Sequence, residues 1–303
     1  MKNFSLPIVV ILLLALPACG SAEETKGESL THIHGLSYSL SQPGDLYIST
    51  HHGLLHMSGE REWTWIGEEQ ERHDFMGFSI INKETMISSG HPAPSSPLQD
   101  PLGIIKSNDG GQTWEPVALH GEADFHLLEA NSLNHRMYGI DAANSEFFRT
   151  DNSGESWEAI QTEGFPEDLH EVNALVSHYL QPEHLLAGTK KGIYKSIDGG
   201  KSWKKLHQHK TFSGAVNDRH NSEQVYAYMP GNGLGLMKSK DFGHTWESMD
   251  FRLNDDDFVT FIDVHPENPE EISIATSNES IYQTQDGGET WEALVIEGTT
   301  QDK

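Results

Sequence analysis

The chain has 303 residues, of which 46 are acidic and 20 are Lys or Arg, so its formal net charge at pH 7 is −26. A surface of this sign repels phosphate backbones and anionic lipid headgroups, which argues against nucleic-acid binding. The chain holds one cysteine and therefore no internal disulfide.

The N-terminal segment resembles the signal peptide of a bacterial lipoprotein. Lys2 precedes an apolar run from Leu6 to Leu16, which is too short for a transmembrane helix and typical of a signal-peptide core. Residues 16–20, LPACG, are similar to a lipobox. The resemblance implies a signal peptide over 1–18, a lipid on Cys19 and an extracytoplasmic, membrane-anchored protein. The alternative is an ordinary secretory signal that happens to contain a cysteine.

The rest of the chain divides into a short tether and one folded domain. Residues 19–29 are small or charged and contain no large apolar side chain, as expected of a flexible tether. The length of 30–303 would ordinarily suggest two domains, but propellers are an exception to that rule. An internal repeat predicts a single domain.

An eight-residue pattern, Ser/Thr-x-Asp-x-Gly-x-Thr/Ser-Trp, recurs along this domain. It is found five times, once with Asn for Asp, and a sixth copy (SGEREWTW) keeps only the outer letters. Successive terminal tryptophans are 43 to 49 residues apart, a spacing typical of repeat folds. The copies end at Trp65, Trp114, Trp157, Trp203, Trp246 and Trp291, and their third positions, where retained, are Asp109, Asn152, Asp198, Asp241 and Asp286.

The residue types of the pattern suit a rigid turn. A short polar side chain accepts bonds from its own turn, glycine permits a positive φ and tryptophan buries a large surface. Here the chain resembles the Asp-box, or bacterial-neuraminidase repeat (BNR), of sialidases, sortilin-type receptors and a photosystem-assembly factor. That family places the box between the third and fourth strands of a blade. The resemblance implies an all-β, six-bladed β-propeller.

The segments ahead of each box supply the other strands. In the fourth repeat these are Val172 to Ser177, His184 to Gly188 and Gly192 to Lys195. Closure of the ring is expected to rest on packing between blades one and six. The alternative is a terminal segment that adds a strand without a visible signal in the sequence.

Polar residues recur at the predicted top face, opposite the boxes. In sialidases, which the repeat resembles, this face holds the active site. The resemblance therefore implies that a functional site of this chain lies here. Aligning the six first strands gives one column of His34, Met76, His126, Asn173, Ser213 and Thr260, and a second, two residues earlier, of His32, Asp74, Asp124, Glu171, Thr211 and Phe258. The turns between second and third strands add His51, His52 and His91.

This pattern predicts a transition-metal site in the sector of blades one to three. Neutral imidazole suits zinc and copper, and a thioether beside it favours copper(I). The predicted ligands are His32, His34, His51, His52, Met76, His91 and His126. The alternative is that these side chains only line a water-filled channel.

Two other functions stay open. A glycoside hydrolase needs two carboxyl groups, for which Asp74, Asp124, Glu171 and Asp141 are the top-face candidates. Sialidase activity is disfavoured, because no arginine falls in the aligned columns and no Arg-Ile-Pro motif occurs. The third function is a non-catalytic, monomeric scaffold that recognises an envelope protein or glycan, with the proline-rich loop Pro92 to Pro101 as part of its surface.

Overall fold

The computed structural model describes residues 29–231 and 233–301. The predicted signal peptide, Cys19 and all of the predicted tether except Ser29 lie outside this part of the chain. No helix within the described residues is long and apolar enough to cross a membrane.

The fold is a six-bladed, all-β propeller, as predicted. Each blade is an antiparallel sheet with its strands in chain order, and the first strands of neighbouring blades contact one another around a closed ring. Two 3₁₀ turns, Glu69–Glu71 and Leu169–Glu171, precede the first strands of blades two and four. The strands of blades one to three are β1 Ile33–Tyr38, β2 Leu46–Thr50, β3 Gly53–Met57, β4 Trp63–Ile66; β5 Asp74–Ile80, β6 Met86–His91, β7 Ile104–Ser107, β8 Glu115–Ala118; β9 Phe125–Ala130, β10 Met137–Asp141, β11 Glu146–Thr150 and β12 Glu158–Ala159.

The other three blades repeat the arrangement. Blade six has a fifth strand, which forms a hairpin with its fourth. The strands are β13 Val172–Ser177, β14 Leu185–Thr189, β15 Gly192–Ser196, β16 Lys204–His207; β17 Gly214–Asn217, β18 Val225–Met229, β19 Gly235–Ser239, β20 Glu247–Ser248; β21 Val259–Val264, β22 Ile272–Thr276, β23 Ile281–Thr284, β24 Glu292–Ile296 and β25 Thr299–Thr300.

The hydrophobic core lies between blades rather than at the centre of the ring. Among the described residues it consists of six clusters, each formed by facing surfaces of two neighbouring blades. Blade interiors carry Ile, Val, Leu and aromatic residues, which pack well on a pleated surface. Because each blade buries both faces against its neighbours, the axis of the ring is left open for a channel.

The tryptophan-ended turns join third and fourth strands, and their polar residues hold them rigid. In blade four, Asp198 accepts hydrogen bonds from Ser196 Oγ at 2.8 Å and from Ser202 N at 2.9 Å, and also from Ser202 Oγ. Trp203 Nε1 donates to the carbonyl oxygen of Gly200 at 2.8 Å, and the Trp203 ring is 4% exposed. In the other four turns the corresponding bond from a backbone N–H is accepted by the third-position side chain: Asp109, Asn152, Asp241 and Asp286.

Ring closure differs from the expectation of packing alone. Ser29 forms an antiparallel bridge with Thr299, and Leu30 N donates to the carbonyl oxygen of Gly298 at 2.7 Å. Leu30 is 3% exposed and belongs to the core cluster between blades six and one. These two N-terminal residues therefore form a clasp on blade six. A backbone pairing that involves only two residues leaves no alternating pattern in the sequence, so it could not be predicted.

Candidate functional site

The six first strands surround a central channel with a cavity volume of about 680 Å³. Its wall is apolar in the middle, where Leu36, Leu128 and Ile262 are among the lining residues. Polar side chains lie at both ends of the strands. The top end carries His34 and His126, and the bottom end carries charged groups.

Local irregularities in the first strands aim side chains into this channel. In β1 the pairing with β2 shifts between Ile33 and Gly35, so His34 has no partner in the ladder. A similar shift in blade three leaves His126 unpaired, and Asn173 and Thr260 occupy the same place in blades four and six. Bulges of this kind redirect a side chain. They explain why the predicted column, except for Met76, lines the channel mouth.

Three imidazoles of blade one lie together at the top, and we call them the blade-one cluster: His32, His34 and His51. One ring nitrogen from each lies within 4.8 Å of the others. The ring centroid of His51 is 4.6 Å from those of both His32 and His34. His32 has a φ of +50°, an uncommon conformation for a residue other than glycine, and such outliers concentrate at functional sites.

The environment of His34 keeps its imidazole neutral. Burial and, to a smaller extent, the neighbouring His51 lower its pKa to about 4, although Asp74 acts in the opposite direction. Asp74 of blade two also pairs with His51, with Oδ2 2.7 Å from Nδ1. Neutral imidazole is the form that binds metal. The carboxylate contact leaves Nε2 of His51 available as a ligand atom.

Two buried atoms, one in the blade-one cluster and one in the neighbouring Asp74, lack hydrogen-bond partners among the described residues. They are His34 Nε2 and Asp74 Oδ1, which lie 4.0 Å apart. A buried polar atom left unpaired costs about 1–3 kcal/mol. Two ligands of one tetrahedral zinc ion would be about 3.3 Å apart. The observed separation of 4.0 Å therefore needs to contract by about 0.7 Å for both atoms to bind one ion.

A second group lies in the neighbouring sector, and we call it the blade-three cluster: His91, Asp124 and His126. Its ligand atoms also fall within 4.8 Å of one another. Asp124 Oδ2 is 2.9 Å from His126 Nε2 and 3.6 Å from His91 Nε2. The other carboxylate oxygen, Asp124 Oδ1, is buried and has no hydrogen-bond partner in the part of the chain described.

The loop residue Asp100 orients His91 from its other side. Its Oδ1 is 2.7 Å from Nδ1 of His91. Burial acts to lower the pKa of His91, but the hydrogen bond to Asp100 and the charge of Asp124 outweigh it, so the pKa is raised. This contact joins the end of the proline-rich loop to the residue that precedes its start.

The structure thus sorts the predicted histidine ligands into two groups instead of one. His52 joins neither: it lies in the same turn as His51 but its side chain is exposed. Met76 is partly buried on β5, with Cγ beside Gly90, and blade two contributes Gly77 to the channel wall at this level. The role of Met76 as a metal ligand therefore remains a prediction.

The remaining carboxylates proposed for catalysis have structural partners. Asp141 is fully buried and accepts bonds from Asp124 N and Ala143 N, each at 3.0 Å. Glu171 pairs with Lys191 at 2.8 Å. These contacts stabilise the loops of the top face.

The lower end of the channel holds charged residues that the sequence reasoning missed. Arg219 Nη2 donates to Asp263 Oδ1 at 3.1 Å, while Asp263 Oδ2 accepts a bond from Tyr38 N at 2.8 Å. Glu129 accepts bonds from Ser177 N and Oγ at 2.9 and 2.8 Å. Burial raises the pKa of Glu129 to about 7, against the lowering effect of these bonds. Extending the column alignment further along the first strands would have found Glu129 and Asp263, whereas Arg219 lies beyond the end of its strand.

Two family models match parts of the chain. The model described as Sortilin, neurotensin receptor 3, matches residues 103–232, and that of Photosynthesis system II assembly factor YCF48 matches residues 169–302. A curated relative, the Photosystem II assembly lipoprotein Ycf48 of Synechococcus sp. (strain CC9902), is 28% identical over 152 residues. The match covers 48% of this chain and 42% of that protein, so the chain spans less than half of its curated relative.

Solved structures share the fold at low sequence identity. A GH74 enzyme of Niastella koreensis is 17% identical, with a TM-score of 0.59 over 89% of this chain and 46% of its own. YCF48 from Cyanidioschyzon merolae is 14% identical, with a TM-score of 0.54 over 90% and 87%. A structure of YCF48 bound to D1 peptide is 16% identical, with a TM-score of 0.52 over 89% and 83%. At these identities the likeness shows the fold alone.

Proposed function

We propose that this chain, a BNR-type β-propeller, binds a transition-metal ion at the top of its central channel. The ligands are the three imidazoles of the blade-one cluster, completed by the carboxylate of Asp74. Zinc and copper(II) both suit a set of three nitrogens and one oxygen.

The observation that carries the proposal is the pair of buried atoms without partners, His34 Nε2 and Asp74 Oδ1, 4.0 Å apart. A mere polar lining of a water channel predicts side chains that face open water. Here both atoms are shielded, and one bound cation would satisfy them together. The pKa of about 4 for His34 means that its imidazole is uncharged at neutral pH, which is the form that binds a metal ion through its unprotonated nitrogen.

Each residue has a separate part in holding the ion. His34 supplies a buried nitrogen from the bulge of β1, and His32 and His51 supply nitrogens from the more exposed side of the site. Asp74 orients His51 through its Oδ2, 2.7 Å from Nδ1, and faces the site with its Oδ1. Carboxylates that orient a ligating imidazole raise its basicity as a ligand.

Metal titration of the full chain tests the proposal. The protein is stripped with a chelator, dialysed, and titrated with zinc or copper(II) against a chromophoric competitor. His51→Ala is expected to weaken the affinity of the site at least 10-fold. His52→Ala is the matched control, because its exposed side chain lies one residue away, and it should bind like the wild type. Equal affinity of the His51 and His52 variants would refute the assignment.

A recognition role is the second candidate, favoured by a different observation. The YCF48 relative has been solved with a D1 peptide, and the curated relative is named as an assembly lipoprotein. On this chain Phe258 is 40% exposed and lines the channel, which offers an apolar contact to a protein segment. Capture of an envelope protein by the wild type but not by Phe258→Ser would support this role, provided that the captured partner also binds the purified propeller.

The proposed location follows from the N-terminal residues. We expect Cys19 to carry the lipid that holds the propeller outside the cytoplasmic membrane, in keeping with the lipoprotein among its relatives. Metabolic labelling with a palmitate analogue checks this, with Cys19→Ser as the variant that should lose the label.

A further inference from the structure

We infer that the rim holds a second metal ion, bound by the blade-three cluster of His91, Asp124 and His126. The inference deepens the proposed function by adding a neighbouring site. The set of two nitrogens and one carboxylate is a common one for a zinc ion that keeps an open coordination position. It assigns the three residues a role separate from that of the blade-one cluster.

The geometry around Asp124 is the first argument. Both imidazoles present Nε2 to the same carboxylate oxygen, at 2.9 Å and 3.6 Å. One carboxylate oxygen flanked by two imidazole nitrogens marks a point where three donor atoms converge. Asp124 is 8% exposed, and a carboxylate is rarely buried to this extent unless it is paired.

The unpaired oxygen of Asp124 is the second argument. Oδ1 is buried and has no donor among the described residues, as is also true of Asp74 Oδ1 in the first site. Each site therefore contains one shielded carboxylate oxygen without a proton to satisfy it. A divalent ion supplies the missing positive charge in each case.

The third argument is the support behind His91. Asp100 contacts Nδ1 at 2.7 Å, which directs the lone pair of Nε2 toward Asp124. This is the carboxylate–histidine arrangement found behind ligating imidazoles. The same arrangement occurs at His51 with Asp74. Two independent imidazoles of the rim are therefore prepared in the same way.

The two sites are close enough to influence each other. Asp74, which belongs to the first site, acts on the charge state of His91, and His126 acts on that of His34. Two divalent ions bound in neighbouring sectors of the rim repel each other, and the carboxylates of Asp74 and Asp124 offset part of that repulsion. We therefore expect the second ion to bind more weakly than the first.

Binding stoichiometry with zinc alone separates the sites. Chelator-stripped wild type is expected to bind two equivalents, and His126→Ala and His51→Ala are each expected to bind one. His91→Gln serves as a second variant should His126→Ala fold poorly, as judged by circular dichroism. Cobalt(II) absorption of each variant then reports the coordination of the ion that remains.

The outcomes distinguish this inference from the proposed function. If the wild type binds one equivalent, which is lost in His126→Ala and kept in His51→Ala, the second site stands and the proposed function fails. If that one equivalent is lost in His51→Ala and kept in His126→Ala, the second site is overturned. A His126→Ala variant that binds as much zinc as the wild type also overturns it.

Discussion

Replacing Glu129 by glutamine should change how the stability of the propeller depends on pH. Glu129 lies at the lower end of the channel, where burial raises its pKa from 4.5 to about 7. A raised folded-state pKa means that the contribution of this group to stability is fully present below pH 4.5 and is lost as the pH rises through 7. Glutamine stays neutral and can accept the same bonds from Ser177, so the variant escapes this loss.

The magnitude follows from the shift. At about 1.4 kcal/mol for each unit of pKa, the difference between pH 5 and pH 8 is at most about 3 kcal/mol. The side chain borders the channel lumen, so solvent screening reduces the expected value to about 1–2 kcal/mol. The Glu129→Gln variant should therefore gain this much in free energy of unfolding, relative to wild type, when the pH is raised from 5 to 8.

Urea unfolding monitored by tryptophan fluorescence at both pH values measures the effect. Glu155→Gln is the matched control, because Glu155 is exposed on a turn and loses the same charge. Reduction of the net negative charge alone would shift both variants equally. A pH dependence of Glu129→Gln that parallels that of the control would show that burial of Glu129 has no such cost.

Further predictions concern the clasp, the turns and the rim. Gly298→Ala should destabilise the protein by about 2 kcal/mol or more, because φ is +76° and the new Cβ would lie 2.4 Å from the carbonyl oxygen of Leu30. Gly287→Ala is the control: its φ is +71° but its surroundings are open, so it should cost only about 1 kcal/mol. Equal costs of the two substitutions in thermal unfolding would refute the clash. Asp198→Ala should lower the free energy of unfolding by about 1–3 kcal/mol, because the turn loses the hydrogen bonds that Asp198 accepts. Asp198→Asn keeps an acceptor oxygen and should lower it much less. Equal shifts of the denaturant midpoint in the two variants would contradict this role of the turn. In metal-free Asp100→Asn the pKa of His91 should fall, because the imidazolium loses a partner; an unmoved midpoint in a proton NMR titration would exclude that contact.

The repeat made most of the fold predictable, because one strong signal recurs in every blade. Trp203 and Asp198 mark a turn whose position fixes the third and fourth strands, and counting such turns predicts the number of blades. The same reasoning placed His34 and His126 at the mouth of the channel. It relied on alternation along a strand and did not predict the bulges that aim these side chains.

What could not be predicted depends on contacts that leave no periodic trace. Ser29 and Leu30 pair with blade six, although Ser29 belongs to the predicted tether and the pairing rests on two residues only. His51 and His52 are equivalent in the sequence, yet only His51 meets a carboxylate, because the turn directs adjacent side chains in different directions. The division of the histidines into two groups likewise depends on the positions of Asp74 and Asp124, which only the folded ring brings beside them.

The clasp also determines how far the histidine-bearing rim can stand from a lipid bilayer. The chain enters the ring at this rim, and His32 follows the predicted acylation position, Cys19, by only thirteen residues. Even fully extended, that many residues span about 45 Å. An acylated protein would therefore keep His32 within that distance of the lipid headgroups however the body rotates, so an ion held at the proposed site beside it would exchange with the solvent near the bilayer.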